Sequence, residues 1–400
     1  LGARTSSSSG GHPDTMMRRL LLLNLGCVAG LHGTPPTSLS GRGVVAARGH
    51  PQQLRSRPAV AKAGVSKLRS KLVGVGSCAP PTRVTNVDLE DLVDTTDEWI
   101  AQRTGIRSRH LLAPGETMSE LGGKAAEGAL AMAGVAAEDV DLVIFATSSA
   151  DDLFGDAANV AMLVGATNAV AFDLTAACSG FLFGINTASQ FLHNGAYKTA
   201  LVIGGDALSR WVDWTDRSTC VLFGDGAGAV VLKAAASDEE AGVLGWEMHS
   251  NGEGRKDLNL CYSGEPNGLG DVATVTSGTY DTIAMNGMDV YKFATTKVPK
   301  VIKEALVNAD MTADDIDWVV LHQANIRIME TVAKKLGVSM DKVIHNLDEY
   351  GNTSAGSIPL ALDEAVRSGK IKKGDTLVVA GFGAGLSWGA CVIRWGGEPL

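Results

Sequence analysis

The chain repeats one pattern of residues at a fixed distance, and this repeat limits the possible folds more than any other feature. GALAMAGVAAEDVDLVIF at 128–145 aligns with EALVNADMTADDIDWVVL at 304–321, an offset of 176 residues. The same offset aligns AACSG at 176–180 with NTSAG, and TALVIGG at 199–205 with DTLVVAG. Chance similarity of two βαβ units is the alternative, and an unchanged offset over three separate blocks argues against it.

Each copy has the pattern of an amphipathic helix, a strand, a loop, a second helix and a second strand. The strands are continuous apolar runs, as expected when helices cover both faces of a sheet. Glycine is abundant at 48 residues and aromatic residues make up only 5%, which suits an α/β protein with many tight turns. We therefore predict an α/β fold of two parallel-rich sheets related by a pseudo-twofold axis, one in residues 66–240 and one in residues 241–400.

Residues 1–65 differ from the rest in composition. Eight basic residues against one acidic residue give this segment a charge of +7, and since the whole chain carries −9, the remainder carries −16. MMRRLLLLNLGCVAG has a basic start at Arg18 and an apolar run too short to span a bilayer, which is typical of a signal peptide. The acid-free stretch 31–65, rich in Ser, Gly and Arg, is typical of an organellar transit peptide. We predict a bipartite leader that directs the chain to a plastid; a disordered basic tail, with translated sequence before Met16, is the alternative.

Charge and cysteine spacing exclude several classes of function. The acidic body disfavours nucleic acid as a partner, and no segment outside the leader is long and apolar enough to cross a membrane. The cysteines form no CxxC pair and have no metal-ligand spacing, so we predict no metal site, no disulfide framework and a reducing compartment. The six cysteines are Cys27, Cys78, Cys178, Cys220, Cys261 and Cys391.

Three polar residues follow predicted strands or begin predicted helices. Cys178 lies between a strand that ends at Leu174 and the helix SGFLFGINTASQFL. His322 follows the strand DWVVL, and Asn352 precedes the helix SIPLALDEAVRSGK. Open α/β sheets bind ligands at the carboxyl ends of their strands, and a pseudo-twofold axis would bring the loops of both halves together. The sequence therefore predicts one site built from all three residues.

Each of these residues has a structural alternative when it is taken alone. Cys178 could be a small buried hydrophobe, His322 a core histidine and Asn352 a helix cap. In the functional interpretation Cys178 is a nucleophile, and we expect the positive end of the helix dipole to lower its pKa.

Two glycine-rich strings are weakly similar to nucleotide-binding fingerprints. A Rossmann fingerprint follows a strand and opens a helix. GDGAGA at 224–229 and GFGAG at 381–385 instead lead into strand-like sequence. We predict that these glycines allow close backbone approach or present amides to a substrate oxygen.

Six motifs together resemble those of the β-ketoacyl-acyl carrier protein synthase III family. They are DTTDEWIAQRTGIRSRH, FDLTAACSGF, FGDGAGAVVL, LHQANIRI, GNTSAGSIPLALDEA and GFGAGLSWG. The resemblance covers residues 71–395 and implies the thiolase fold, in which duplicated βαβαβ halves form a five-layered α-β-α-β-α sandwich. Elongating synthases carry Cys-His-His and thiolases use a second cysteine. Type III polyketide synthases share Cys-His-Asn, but their glycine loop usually reads GFGPG where this chain has Ala384.

The resemblance also implies a reaction that starts type II fatty acid synthesis. The Cys178 thiolate would take acetyl from acetyl-CoA, and malonyl-acyl carrier protein would then lose CO2 and condense with the acyl-cysteine to give acetoacetyl-acyl carrier protein. His322 and Asn352 would donate to the enolate oxygen, and the backbone amides of Cys178 and Ala384 would hold the acyl-transfer oxyanion. The CoA thioesters are substrates, and no cofactor is implied.

Further residues match binding positions of the family. The implied CoA contacts are Trp99, Arg103, Thr104, Arg217, Gly287 and Asn325, with Trp99 and Arg217 on either side of the adenine, Arg103 and Thr104 at the nucleotide and phosphates, and Gly287 and Asn325 along the pantetheine tunnel. Phe154 would close an acyl pocket for short primers, and Lys292, Arg327, Lys334 and Lys335 would bind the acidic carrier protein. A homodimer is expected, since this fold usually completes its acyl pocket with a residue of the partner subunit.

Other interpretations of the same residues stay open at this point. Trp99 and Arg103 could be an ordinary surface pair, and the basic residues a solvated helix face. The chain could use a longer or branched primer or make a polyketide, or it could be a silent homologue that only binds partners. An intact Cys178, His322 and Asn352 set argues against the silent homologue.

Overall fold

The computed structural model describes residues 68–236 and 239–398, and the predicted leader, residues 1–65, lies outside the described residues. The strands are β1 (Leu68–Cys78), β2 (Thr82–Thr85), β3 (Ser108–Leu111), β4 (Leu142–Ala146), β5 (Val170–Leu174), β6 (Thr199–Asp206), β7 (Gly226–Ala236), β8 (Gly242–Ser250), β9 (Leu258–Asn259), β10 (Tyr262–Leu269), β11 (Ala273–Tyr280), β12 (Ala284–Met285), β13 (Trp318–Leu321), β14 (Val343–Ile344), β15 (Thr376–Gly383) and β16 (Ser387–Arg394). The helices are α1 (Asn86–Glu90), α2 (Asp97–Thr104), α3 (Met118–Ala133), α4 (Ala157–Val164), α5 (Gly180–His193), α6 (Gly287–Asn308), α7 (Ile326–Leu336), α8 (Leu347–Tyr350) and α9 (Ser357–Arg367).

Two five-stranded sheets have the same strand order. The first runs β5-β4-β6-β7-β1 and the second β14-β13-β15-β16-β8. In the first sheet β5, β4 and β6 are parallel, and β7 and β1 continue the sheet antiparallel. The second sheet repeats this arrangement strand for strand. The duplicated, parallel-rich fold predicted from the repeat is confirmed.

The distance in sequence between equivalent residues of the two halves changes by one residue along the repeat. Asp141 donates its N–H to Thr199, and the equivalent bond in the second half runs from Asp317 to Thr376. The first members of these pairs are 176 residues apart and the second members 177. The ungapped offset of 176 is therefore correct for the first helix and strand. It is wrong by one residue for the second and third aligned blocks, because the turn Ala177–Ser179 corresponds to Ser354–Gly356 and Thr199 to Thr376.

Helices and sheets alternate in five layers. Helices α3 and α4 cover the outer face of the first sheet, α5 and α9 lie between the sheets, and α6 and α7 cover the outer face of the second. Along β4, Leu142 and Ile144 point into the central layer, whereas Val143 and Phe145 point to the outer one. A strand covered on both faces needs apolar residues at every position, which explains the continuous apolar runs.

The turns that begin the two central helices meet between the sheets. Ala177–Ser179 precedes α5 and Ser354–Gly356 precedes α9, and both are short 3-10 turns in contact with each other. The two glycine-rich strings lead into β7 and β16, as predicted. Within the described part of the chain, no helix combines the length and apolar character needed to cross a membrane.

Candidate active site

Cys178 lies at the start of a central helix, where the sequence places it. Strand β5 ends at Leu174, the turn Ala177–Ser179 follows, and α5 begins at Gly180. The cysteine is 7% exposed. No side chain caps the first turn of α5, in contrast to α3, where the Thr117 hydroxyl accepts a backbone N–H. The positive end of α5 is therefore not neutralised by a side chain at its N-cap.

The ionisation of Cys178 differs from the sequence prediction. Burial raises the pKa of its thiol to about 12; a hydrogen bond from Ser354 acts in the opposite direction, and the charge of Asp206 raises it further. The predicted lowering of this pKa is wrong, because the loss of hydration disfavours the thiolate and is the largest of the effects on this thiol. Cys178 therefore rests as a thiol and must lose its proton before it can attack.

Asn352 is oriented by the backbone around it. Its N–H donates to Leu222 at 2.8 Å, and its carbonyl accepts from Gly224 at 3.1 Å, which fixes the residue against the Phe223 segment. Its side-chain Oδ1 accepts the N–H of Ser354 at 2.9 Å. Asn352 thus caps the following turn, and this bond leaves the Nδ2 group as a donor for the site.

His322 directly follows β13 and is 3% exposed. Burial lowers its pKa to about 3, so the imidazole is neutral near neutral pH. Its Nδ1 is 2.7 Å from the Ser357 hydroxyl, and this hydroxyl accepts the N–H of Gln323 at 3.3 Å. The Ser357 hydroxyl can donate to Nδ1 while it accepts the Gln323 N–H, and in that tautomer Nε2 is the nitrogen that carries hydrogen.

One short segment, residues 352–357, brings the three predicted residues together. Asn352 begins the segment, Ser354 lies 3.2 Å from the Cys178 sulfur, and Ser357 holds His322. The segment therefore connects a buried thiol, a neutral imidazole and a primary amide. A buried nucleophile beside two neutral donors can form an acyl-enzyme and stabilise an enolate.

The end of strand β15 closes against the cysteine turn. A Cβ atom added to Gly383 would lie 2.6 Å from the Cys178 nitrogen, so only glycine allows this approach. The next residue, Ala384, does not adopt a positive φ, so alanine is accommodated in the turn before β16 without strain. Beside it, a cavity of about 950 Å³ is lined by Cys178, Ser354 and Ala384 together with apolar side chains.

Comparison with known proteins assigns the family. The family model "3-Oxoacyl-[acyl-carrier-protein (ACP)] synthase III" matches residues 172–252, and that of its C-terminal part matches 306–395. The β-ketoacyl-acyl carrier protein synthase III of Synechocystis sp. is 55% identical, and the alignment covers 81% of this chain and 98% of the relative. The chain belongs to the β-ketoacyl-acyl carrier protein synthase III family.

Solved structures agree with this assignment. The 3-oxoacyl-acyl carrier protein synthase III of Aquifex aeolicus is 39% identical with a TM-score of 0.74, covering 82% of this chain and 100% of that structure. The priming β-ketosynthase of the R1128 polyketide pathway is 34% identical with a TM-score of 0.75, covering 83% and 97%. The fold of the chain is the thiolase fold, as the motifs implied.

The structure groups several CoA positions of the family at the junction of α2 and α7. The guanidinium carbons of Arg103 and Arg217 lie 4.7 and 5.1 Å from the centre of the Trp99 ring system. Asn325, which caps α7, donates to the Arg103 carbonyl at 3.1 Å. Because Arg217 already contacts the Trp99 ring, an adenine placed between them must displace the guanidinium.

Two other predicted CoA positions fit less well. Thr104 is 4% exposed, and its hydroxyl donates to the Ile100 carbonyl and accepts the Ile106 N–H. The predicted contact of Thr104 with the nucleotide or phosphates is therefore corrected, because its hydroxyl is buried and satisfied by the backbone. Gly287 is exposed at the start of α6, and neither it nor Asn325 lines the cavity beside Cys178.

Phe154 lies at the edge of that cavity. Phe154 is 96% exposed, and together with Leu153 it contributes to the lining of the cavity. Within one chain the ring therefore does not close the pocket. The four predicted docking residues are exposed on α6 and α7. They are Lys292, Arg327, Lys334 and Lys335.

Sequence reasoning missed three polar residues around the site. They are Ser357, which holds the His322 ring, Ser354, which donates to the Cys178 sulfur, and Asp206, whose charge acts on the Cys178 thiol. The offset of 176 aligns Ser354 with Cys178, but the structure pairs Ser354 with Ala177, the first residue of the equivalent turn, so the repeat gave no valid signal for it. Asp206 is the last residue of a buried strand, close to the strand end as the predicted site residues are, and this position was its only signal in the sequence.

Proposed function

We propose that the chain condenses a short acyl group, taken from acyl-CoA, with malonyl-acyl carrier protein to give a β-ketoacyl-acyl carrier protein and CO2. The observation that carries the proposal is the 352–357 segment, which contacts or contains Cys178, His322 and Asn352 at once. Family membership supplies the substrate classes. A direct test is the acetyl adduct on Cys178 after incubation with acetyl-CoA, followed by product formation when malonyl-acyl carrier protein is added.

In the first half-reaction the Cys178 thiol loses its proton, and the sulfur attacks the thioester carbon of acetyl-CoA. The tetrahedral oxyanion binds the backbone amides of Cys178 and Ala384, which border the same cavity. The carbon–sulfur bond to CoA then breaks, and CoA leaves as its thiol after it takes up a proton. The buried site excludes water, which protects the acyl-cysteine from hydrolysis.

In the second half-reaction malonyl-acyl carrier protein loses CO2 and becomes an enolate. Nε2–H of His322 and Nδ2–H of Asn352 donate to the enolate oxygen. A histidine whose pKa is about 3 is a neutral donor and does not protonate the carbanion early. The carbanion attacks the acyl carbon on Cys178, the carbon–sulfur bond breaks, and the thiolate takes up a proton again.

We also propose that the chain forms a homodimer through the edge of the first sheet. Strand β5 is an edge strand of that sheet, so its outer backbone groups are open to pairing with another strand. Large apolar residues are exposed close to it in sequence, and an exposed apolar group of this kind marks an association surface. They are Leu153, Phe154, Met162, Leu163 and Val170, with exposures of 85, 96, 65, 43 and 52%. In a dimer Phe154 would enter the acyl pocket of the partner subunit.

Primer length tests the acyl pocket assignment. We expect the unmodified enzyme to favour acetyl-CoA over octanoyl-CoA, and Phe154→Ala to accept longer acyl-CoAs because the aromatic wall is removed. Turnover with a panel of acyl-CoA primers measures both effects, and Val307→Ala, 71% exposed on α6, is the matched surface control. Equal use of acetyl- and octanoyl-CoA by the unmodified enzyme would favour the longer-primer alternative.

Helix α7 supports a docking site for the carrier protein. Arg327 donates to the Gln102 carbonyl at 2.6 Å and Lys335 to the Thr295 carbonyl at 2.8 Å, so the helix presents cations toward both α2 and α6. Lys292 on α6 pairs with Asp289 at 3.2 Å. Against a body of strongly negative charge, such a local positive surface would steer an acidic carrier protein.

Charge reversal tests this surface. Lys334→Glu with Lys335→Glu should raise the KM for malonyl-acyl carrier protein by about tenfold at low salt, and flatten its salt dependence. Acetylation of Cys178 by acetyl-CoA should not change. Lys372→Glu with Lys373→Glu is the matched control, since these are also adjacent exposed lysines. Unchanged carrier-protein kinetics, or equal slowing of both half-reactions, would place the docking surface elsewhere.

We propose a plastid location on the basis of the leader alone. Its basic start, short apolar run and acid-free stretch fit a signal peptide followed by a transit peptide. Fluorescent tagging of residues 1–65 checks the destination, and a tag that stays in the cytosol would contradict it.

A further inference from the structure

A buried carboxylate lies behind the nucleophile, and the half-reactions above do not use it. Asp206 ends β6 and is 0% exposed. One carboxylate oxygen accepts the Ser148 N–H at 2.7 Å and the Ser149 hydroxyl at 2.8 Å, and the other accepts the Ala355 N–H at 3.2 Å. Because each oxygen has a backbone N–H donor, these contacts suit an ionised carboxylate, although burial raises the pKa of Asp206.

Ser354 connects this carboxylate to the sulfur. Its hydroxyl donates to Cys178 Sγ at 3.2 Å, and the Asp206 carboxylate, which accepts the N–H of the next residue Ala355, also acts on this hydroxyl. The residue has a φ of 51°, in the left-handed region that favours glycine. Two bonds hold it there, from the Ser354 N–H to Asn352 and from the Ala355 N–H to Asp206. The hydroxyl is therefore kept beside the sulfur by the surrounding backbone.

Comparison of the two halves shows that this carboxylate belongs to one half only. Asp206 and Gly383 are the last residues of the equivalent strands β6 and β15. Asp206 bonds to the amide of Ala355, whereas a Cβ atom at Gly383 would lie 2.6 Å from the amide nitrogen of Cys178. A carboxylate thus binds the helix start in the second half, and glycine keeps the Cys178 amide clear in the first.

We propose that Ser354 and Asp206 are positioning residues that act on Cys178 in opposite directions: the Ser354 hydroxyl stabilises the thiolate by donating to it, and the Asp206 carboxylate keeps the resting sulfur protonated. The proposal rests on the proposed function for its purpose, which is a nucleophile that stays a thiol until acyl-CoA enters. Ser354 can donate to only one acceptor at a time, so the carboxylate and the thiolate compete for its proton. This competition is the physical basis of the opposition.

Two other titratable groups around the site do not account for the opposite effects of Ser354 and Asp206 on the Cys178 thiol. His322, from the second sheet, is neutral near pH 7. Asp173 lines the same cavity, but its carboxylate accepts the N–H groups of Asp156 and Ala157. Asp206 is the charged group that acts on the Cys178 thiol, and Ser354 is the side chain that donates to it.

The rate of alkylation of Cys178 by iodoacetamide tests the proposal. Well below the pKa of the thiol, this rate is proportional to the thiolate fraction. Ser354→Ala should therefore lower the rate at pH 8 by about tenfold, and Asp206→Asn should raise it by about tenfold. Peptide mass spectrometry between pH 7 and 9 gives the rate for each cysteine, and Cys261 in the same sample is the internal control.

Opposite shifts distinguish this role from a structural one, since loosening of the site would speed alkylation in both variants. Shifts of the same sign, or a faster Ser354→Ala, would overturn the proposal. If Asp206→Asn does not fold, Asp206→Ser removes the charge with a smaller side chain, and the same faster alkylation of Cys178 is expected. Alkylation does not need acyl-CoA, so opposite shifts without any acetyl adduct would retain this inference and reject the proposed function.

Discussion

Cys178→Ala should abolish condensation from acetyl-CoA, with a loss of roughly 10⁴-fold or more, because no other group can hold the acyl chain. Cys178→Ser should fail as well: a buried serine is a far weaker acid than a thiol, and the histidine near it is held by Ser357. Malonyl-acyl carrier protein should still lose CO2 in the alanine variant. Its decarboxylation uses His322 and Asn352 as donors and forms no bond to Cys178.

Two measurements check this expectation. Intact-protein mass spectrometry after acetyl-CoA treatment should show one acetyl group on the unmodified enzyme and none on Cys178→Ala. Release of labelled CO2 from malonyl-acyl carrier protein follows the second half-reaction separately. Cys261→Ser, at a half-buried cysteine on the surface loop after β9, is the control and should behave as the unmodified enzyme. Condensation retained by Cys178→Ala would reject the nucleophile assignment.

The fold could be predicted because the same pattern of amphipathic helices and apolar strands occurs twice in the sequence. Strands covered on both faces leave continuous apolar runs, and the ends of these runs place His322 directly after β13 and Cys178 in the turn that follows β5. The one-residue change in offset could not be predicted in the same way. TALVIGG and DTLVVAG are apolar in either register, so only the hydrogen-bond partners decide between them.

The remaining differences depend on contacts between distant parts of the chain. The pKa of Cys178 is set by burial and by Ser354, 176 residues further on, whereas the sequence suggests only the local helix end. Thr104 matches a family motif, but its hydroxyl turns back to the carbonyl of Ile100. Local sequence indicates which residues are near the site, and long-range packing decides what each of their polar atoms can still bind.

The second large effect concerns the step that makes the enolate. His322→Ala and Asn352→Ala should each still be acetylated on Cys178 and should each lose about a hundred- to a thousandfold in decarboxylation rate. Their effects should not multiply in the double variant, because both donors address the same oxygen. His345→Ala and Asn267→Ala, at exposed positions, are the matched controls.

The pH dependence of decarboxylation distinguishes a neutral histidine donor from a histidine that acts as a general acid. With a pKa lowered to about 3 by burial, His322 stays neutral as the pH falls from 8 to 5, so decarboxylation by the unmodified enzyme should show no loss from its protonation in that range. A histidine with an ordinary pKa near 6.5 would give a clear change there. Measuring CO2 release across this range, with His322→Ala as the reference, separates the two cases. A fall centred near pH 6.5 that vanishes in His322→Ala would mean that the imidazole titrates in the working enzyme, and the neutral-donor role would then be wrong.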